Sequence, residues 1–120
     1  MSNFYNLVVW QKSMKLIREI YMATNNFPYT EKFGLSSQMR RAAISMASNI
    51  AEGCERKTPK DFANFITCAR GSAAELETQV LAANDLKFLQ QIDHLKLIQD
   101  IIEIRKMLST LHRKILNPVE

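Results

Sequence analysis

Apolar residues in this chain recur at helical spacing in four separate stretches. In the first, Leu7, Trp10, Met14, Ile17, Tyr21 and Thr24 fall at alternating three- and four-residue steps, the period of a helix with one buried stripe. The β-branched pair Val8-Val9 would also suit a short strand, but the stripe continuing beyond it decides for helix. Phe27-Pro28-Tyr29 ends that helix, because a residue before proline is pushed out of the α region. A loop through residues 31–34 leads to a second helix over about residues 35–52. Its large side chains Leu35, Met39, Met46 and Ile50 share a face with Ala42 and Ala43, and Gln38, Arg41, Ser45, Asn49 and Glu52 form a polar stripe beside it. Small residues there let a neighbouring backbone come close, and Gly53 is a natural stop.

The third helix opens on Thr58 as N-cap, Pro59 in the first turn and Asp61 three residues after the threonine. That is close to a capping box, and the acid also suits the helix dipole. Phe62, Phe65, Ala69, Ala73, Leu76, Val80 and Ala83 trace its seam. Gly71 inside it costs about 1 kcal/mol relative to alanine, so close approach of another helix is the expected compensation. Residues 84–91 form the next joint, and Asp93 is the candidate cap of the last helix. There Leu97, Ile101, Ile104, Leu108, Leu111 and Ile115 keep a strict 4-3-4-3-4 spacing, closed by Asn117-Pro118. All three prolines lie at joints or ends. Four amphipathic helices with short loops predict one all-α domain over residues 1–120, an antiparallel up-down four-helix bundle. Leu95, Ile98 and Ile102 add a second apolar stripe to the last helix, which predicts self-association through those residues.

Composition supports this reading. At 47% hydrophobic residues and only 3 Gly and 3 Pro, the chain is too apolar for disorder and too poor in breakers for an all-β fold. Cys54 and Cys68 lack CxxC spacing, and the N-terminal stretch has neither a basic region nor a long apolar core. A reducing cytoplasm is therefore expected, with both thiols structural or solvent-facing. The run of charge-free residues is too short for an ordinary membrane-spanning helix. Net charge is +4, and residues 1–74 carry ten Lys/Arg against five Asp/Glu, which favours a polyanionic partner.

Catalytic chemistry has little support. A di-iron bundle needs Glu-x-x-His on two helices, and neither His94 nor His112 has a glutamate three residues before it. Both histidines are expected to be solvated. The three glycines are isolated, so there is no phosphate loop, and no serine has an elbow motif; no cofactor or metal is predicted. Glu75 is expected to pair with Arg40 or Arg41 and fix helix register. An enzyme would need a closed pocket around Glu75 or Glu52. The functional lead is basic: Lys12, Lys15 and Arg18 on the first helix, Arg40 and Arg41 on the second, Arg56, Lys57 and Lys60 around the following joint, and Arg70 beyond it. Such charges are the main means of holding phosphate backbones.

In order along the chain stand Val9-Trp10, Phe27-Pro28, Phe33-Gly34-Leu35, Gln38-Met39-Arg40-Arg41-Ala42-Ala43, Asn49-Ile50-Ala51-Glu52-Gly53 and Arg56. Phe62, Phe65, Ala69-Arg70-Gly71-Ser72 and Glu75-Leu76-Glu77-Thr78-Gln79 follow. This series resembles the bacterial four-helix-bundle proteins encoded in intervening sequences of large-subunit ribosomal RNA genes. It is also similar to the accessory variability determinant of diversity-generating retroelements. The resemblance implies a ring-like homopentamer and no enzymatic activity; for the retroelement relatives it implies a basic surface that engages nucleic acid and a reverse transcriptase. One departure is Lys87, where the family tends to place the glycine that ends the third helix. The expectation is a non-catalytic scaffold that binds RNA or DNA or a ribonucleoprotein through its basic residues. The alternative is a protein-binding adaptor with no nucleic-acid affinity.

Overall fold

The computed structural model describes residues 3–119. It is a bundle of four helices: α1 (Val8–Thr24), α2 (Leu35–Cys54), α3 (Pro59–Asp85) and α4 (Gln91–Leu116). Short 3-10 turns over Phe4–Asn6 and Tyr29–Glu31 complete it, and the described residues include no strand. Helices α1 and α3 each pack on α2 and α4, so the chain goes up and down around a square.

The core is built from one stripe per helix, and α2 matches its sequence pattern closely. Met39, Ala42, Ala43, Met46 and Ile50 are all buried. In α1 the buried stripe keeps the predicted Thr24 but otherwise runs through Val9, Ser13, Leu16 and Ile20, about one position round from the predicted one. Trp10, Met14 and Ile17 are half-buried, and Tyr21 is exposed. The reason is polar self-satisfaction: Ser13 Oγ donates to the Val9 carbonyl at 2.8 Å and Thr24 Oγ1 to the Ile20 carbonyl at 2.7 Å. Both hydroxyls can therefore enter the core without an unmet hydrogen bond. Trp10 is held at the rim by Phe4 and Tyr5, with ring centroids 5.2 and 5.4 Å away.

The close approach expected at Gly71 is found at Gly53 instead. Gly53 is buried and has no left-handed backbone, and α2 runs through it to Cys54. A Cβ there would lie 2.9 Å from Phe65 Cβ and 3.0 Å from Phe62 Cδ1. Close approach of α2 and α3 happens at Gly53, and it turns Phe62 and Phe65 into a half-buried collar while Ala63 and Ile66 take the core positions. Gly71, by contrast, is exposed, and a Cβ would meet nothing within 4 Å. The expected helix contact at Gly71 is absent, because that face of α3 looks out over a surface groove.

Helix ends obey local chemistry. Thr58 Oγ1 accepts from the Asp61 amide at 3.1 Å, as the sequence predicts. At α4 the N-cap is Gln90 with no side-chain cap bond, and Asp93 sits in the first turn, where it complements the helix dipole instead of capping. Lys87 takes φ 63°, the left-handed value that glycine adopts more cheaply. Phe88 N–H then donates to the Ala83 carbonyl and Lys87 N–H to the Asn84 carbonyl, both at 2.9 Å, a Schellman closure. Phe88 turns inward onto buried Phe27, with ring centroids 5.4 Å apart, which stabilises the strained joint.

Candidate nucleic-acid interface

Folding redistributes charge in a way the linear sequence hides. The half of the bundle holding the α2–α3 joint comprises residues 8–16, 45–72 and 103–119, with ten Lys/Arg against four Asp/Glu. The other half, residues 17–44 and 73–102, holds six against seven. The contacts Lys12–Glu103 and Ser45–Ser72 lie near the dividing plane and fix the register of the halves. Antiparallel return of α4 adds Arg105, Lys106, Arg113 and Lys114 to the basic half, none of which the sequence pattern nominates. Their signal is topological: only once α4 is known to end beside the start of α3 do these charges join Lys57 and Lys60.

The nine predicted basic residues divide by their partners. Lys12 is tied to Glu103 at 3.0 Å, and Lys15 lies 3.9 Å from Glu19. Arg40 serves the fold: its Nε donates to Thr24 Oγ1 at 2.8 Å, its Nη2 to Asn25 Oδ1 at 3.0 Å, and its guanidinium lies 4.5 Å from the Tyr21 ring centroid. It pins the end of α1 to α2 and is half-buried, which removes it from the candidate ligands. Arg56 bonds Glu52 at 3.0 Å and covers the Phe65 ring at 4.5 Å, clamping the joint while staying exposed. Arg18, Arg41, Lys57, Lys60 and Arg70 are exposed and make no ion pair among the described residues. Arg18 and Arg41 lie in the other half, so the structure groups Lys57, Lys60 and Arg70 with the α4 cations.

Arg70 opens onto a surface groove of about 790 Å³ between α3 and α4. Lys106 and Arg105 line it with the hydroxyls of Thr67, Ser109 and Thr110, and Gly71 leaves its floor low. Arg105 is already held by Glu77 at 2.7 Å, so Arg70 and Lys106 are the cations with charge to offer. Cations beside hydroxyl donors over a glycine suit the oxygens of a phosphodiester.

Several other predicted side chains sit differently from expectation. Glu75 pairs with neither Arg40 nor Arg41; the register-fixing bond is Glu77–Arg105 instead. This happens because Glu75 points into an open depression, where it and Arg41 are both exposed. His94 is not simply solvated: it is half-buried, with Nδ1 enclosed and unpartnered, and His112 is half-buried too. Cys54 is buried, and burial reinforced by Glu55 pushes its thiol above its ordinary pKa, while Cys68 is exposed. Among the described residues no group of three His, Cys, Asp or Glu side chains could hold a metal, and no helix is long and apolar enough to cross a membrane. Of the second α4 stripe, Leu95 is 52% and Ile102 37% exposed, whereas Ile98 packs against the core. Ile98 is thus a rim residue of this bundle more than an outward one.

Comparison with known proteins agrees with this architecture. A crystal structure of a protein of unknown function from the S23 ribosomal protein family of Bacteroides thetaiotaomicron superposes with a TM-score of 0.79 at 25% identity. The match covers 88% of this chain and 98% of that one. Comparison with curated proteins finds no match. Residues 5–110 match the family described as 23S rRNA-intervening sequence protein, nearly all of the helical bundle. The chain belongs to the 23S rRNA-intervening sequence protein family.

Proposed function

We propose that the protein is a non-catalytic RNA-binding scaffold whose basic half docks on phosphate backbones. The observation that carries this reading is the charge segregation, ten cations against four anions in one half of the bundle. A field of that sign attracts polyanions over a Debye length and is strongest in grooves with low-dielectric walls. Lys57, Lys60, Arg70 and Lys106 are the groups that engage phosphate, the last two in the α3–α4 groove. Membership of a family named for ribosomal RNA gene insertions makes structured RNA the first polyanion to try.

The scaffold acts as a homo-oligomer, expected to be a ring of five, in which Leu95 and Ile102 meet a neighbouring copy. Each added copy repeats the basic half and multiplies the contacts available to one RNA. Kinship with retroelement accessory determinants would add a reverse transcriptase as a protein partner, to be sought by co-purification of the two chains. Anisotropy titration with a structured ribosomal RNA fragment tests the core of the proposal. Binding at low salt should weaken steeply as salt rises, and Lys57→Glu with Lys60→Glu should flatten that dependence. Absence of binding at low salt refutes it. The exposed apolar side chains Leu95 and Ile102 favour a second reading, an adaptor that captures a protein, for which capture would be insensitive to salt and lost in Leu95→Asp.

A further inference from the structure

The α3–α4 groove has a neighbour on the far side of the last helix. A surface groove of about 370 Å³ runs between the start of α1 and the end of α4. It exists because α1 packs on α4 less closely than the other adjacent helices pack on one another. Its walls are Leu7, Val8, Met107 and Leu111, with Lys106, Thr110 and Lys114 beside them. Val8 is 52% exposed and the other three apolar side chains are half-buried, so all four show surface to a ligand. Lys106 and Lys114 are exposed and make no ion pair among the described residues. No described carboxylate lines either groove.

Lys106 and Thr110 line both grooves, so one turn of α4 is the ridge between them. Helical geometry puts Met107 and Leu111 on one side of that ridge and Ile102, Arg105 and Ser109 on the other, as the two linings show. The grooves are therefore one continuous surface, hydroxyl-rich and cationic toward α3 and apolar toward α1. Their separation is one helix width, roughly 10 Å. A ligand that fits both sides carries anionic oxygens and, a short step away, uncharged apolar surface. Inorganic phosphate answers only the α3 side. Duplex RNA offers its backbone but keeps its base faces stacked inside. A single strand meets both demands, because phosphates and ribose hydroxyls repeat along it and every base has a free face.

We infer that this surface is a track for unpaired RNA, with phosphates in the α3–α4 groove and a base laid into the apolar α1–α4 groove across Lys106. The inference rests on the RNA reading and narrows it from RNA at large to single-stranded segments. Arg70 and Lys106 take successive phosphates, and Thr67, Ser109 and Thr110 are placed for ribose hydroxyls. Lys114 carries the positive field past the base. Aliphatic walls read no base edge, so the track accepts any base, as stacking platforms do.

The test compares three twelve-unit ligands of like backbone: an unstructured adenosine–cytidine repeat RNA, the same strand annealed to its complement, and an abasic ribose-phosphate chain. Affinity is read by anisotropy, and the Met107 methyl is followed by carbon-13 NMR, assigned through its loss in Met107→Leu. The single strand should bind about fivefold more tightly than the abasic chain, the low end of the range for base stacking. It should also move the Met107 methyl upfield through the ring current of the base, while the duplex and the abasic chain leave it in place. Val8→Ser, at an exposed position, should lower single-strand affinity about threefold with no change in salt dependence or in abasic-chain affinity. Lys106→Gln should make the slope of log affinity against log salt shallower by about 0.7. If all three ligands bind alike with an unmoved methyl, the track is wrong and the RNA reading stands. Binding of none at low salt defeats the RNA reading and the track with it. A Met107 shift that grows with concentration of the protein alone would show a second copy seated in the groove, which also overturns the track.

Discussion

The two ends of the bundle solve the same closure problem with opposite materials. At the α2–α3 joint the helices come together over Gly53, and the surrounding cations Lys57 and Lys60 make no ion pair among the described residues. Toward the other end a carboxylate cluster consumes charge internally, although Arg18 and Arg41 have no ion pair among the described residues. Lys96 bonds Glu19 at 2.8 Å, Lys15 approaches the same carboxylate, and Asp100 lies 3.8 Å from Lys96. The joint there closes on a strained Lys87 with the tilted ring pair of Phe88 and Phe27 packed beside it. Charges that already have partners contribute little to an outside ligand, since binding must first break the internal pair. The difference teaches that a net charge of +4 says less about polyanion binding than which cations remain unpaired and where they gather.

The harshest way to break the contrast is Gly53→Leu. With a Cβ alone only 2.9 Å from Phe65 Cβ, a leucine must force α2 and α3 apart, at a cost of about 3 kcal/mol. Chemical denaturation should show a large fall in midpoint, and a variant of unchanged stability would show that the crossing is looser than described. At the opposite end Lys87→Gly should stabilise by about 1 kcal/mol, because glycine adopts φ 63° without the Cβ penalty. The same variant removes a positive charge from the ion-paired half, so RNA affinity should stay unchanged. Loss of affinity would contradict the assignment of binding to the basic half.

Between the ends, Gly71→Ala should stabilise by roughly 0.5–1 kcal/mol, since helix propensity improves and the added methyl meets nothing in the protomer. Destabilisation of the oligomer alone, read by ultracentrifugation, would reveal a neighbouring copy seated on that groove. Asp100→Asn should have the smallest effect. Burial, with the bond to Glu19 and its charge, raises the Asp100 pKa above the ordinary 3.8, so ionised Asp100 lowers stability at neutral pH. Burial also pushes Glu19 upward, but its bond to Lys96, the bond to Asp100 and the charges of Lys96 and Lys15 outweigh that and hold its pKa below the ordinary 4.5. Glu19 therefore contributes stability that is lost as pH falls through its folded pKa, whereas the Asp100 penalty is relieved as pH falls through its own. Asn at position 100 should raise the thermal midpoint at pH 7 and remove the gain the parent shows on acidification through the raised Asp100 pKa. A lower midpoint at pH 7 would reverse the sign.

How much of this is legible in sequence depends on whether the signal is local. The Thr58-Pro59-Asp61 start, the α2 face of Met39, Met46 and Ile50, and the α4 stripe from Leu97 to Leu108 are fixed by spacing and capping within one helix, and the structure follows them. The α1 stripe is right at Thr24 but otherwise misplaced, because Ser13 satisfies itself on its own backbone, which hydrophobicity alone does not register. The close approach expected at Gly71 occurs at Gly53 because it is a property of two helices, and no pattern within either one reveals where they cross. The site is less legible still. Arg40 and Lys57 are both simply cations in the sequence, yet one pins α1 to α2 and the other makes no ion pair among the described residues. Lys106 and Lys114 join the basic half only through the antiparallel return of the last helix.

The central claim, that unpaired cations of the basic half hold RNA, is tested most directly by measuring affinity against salt for the parent and for Lys57→Glu/Lys60→Glu. If both lysines contact phosphates of a single strand, the slope of log affinity against log salt should become shallower by about 1.4, at roughly 0.7 per contact. An unchanged slope in a folded variant would contradict the account.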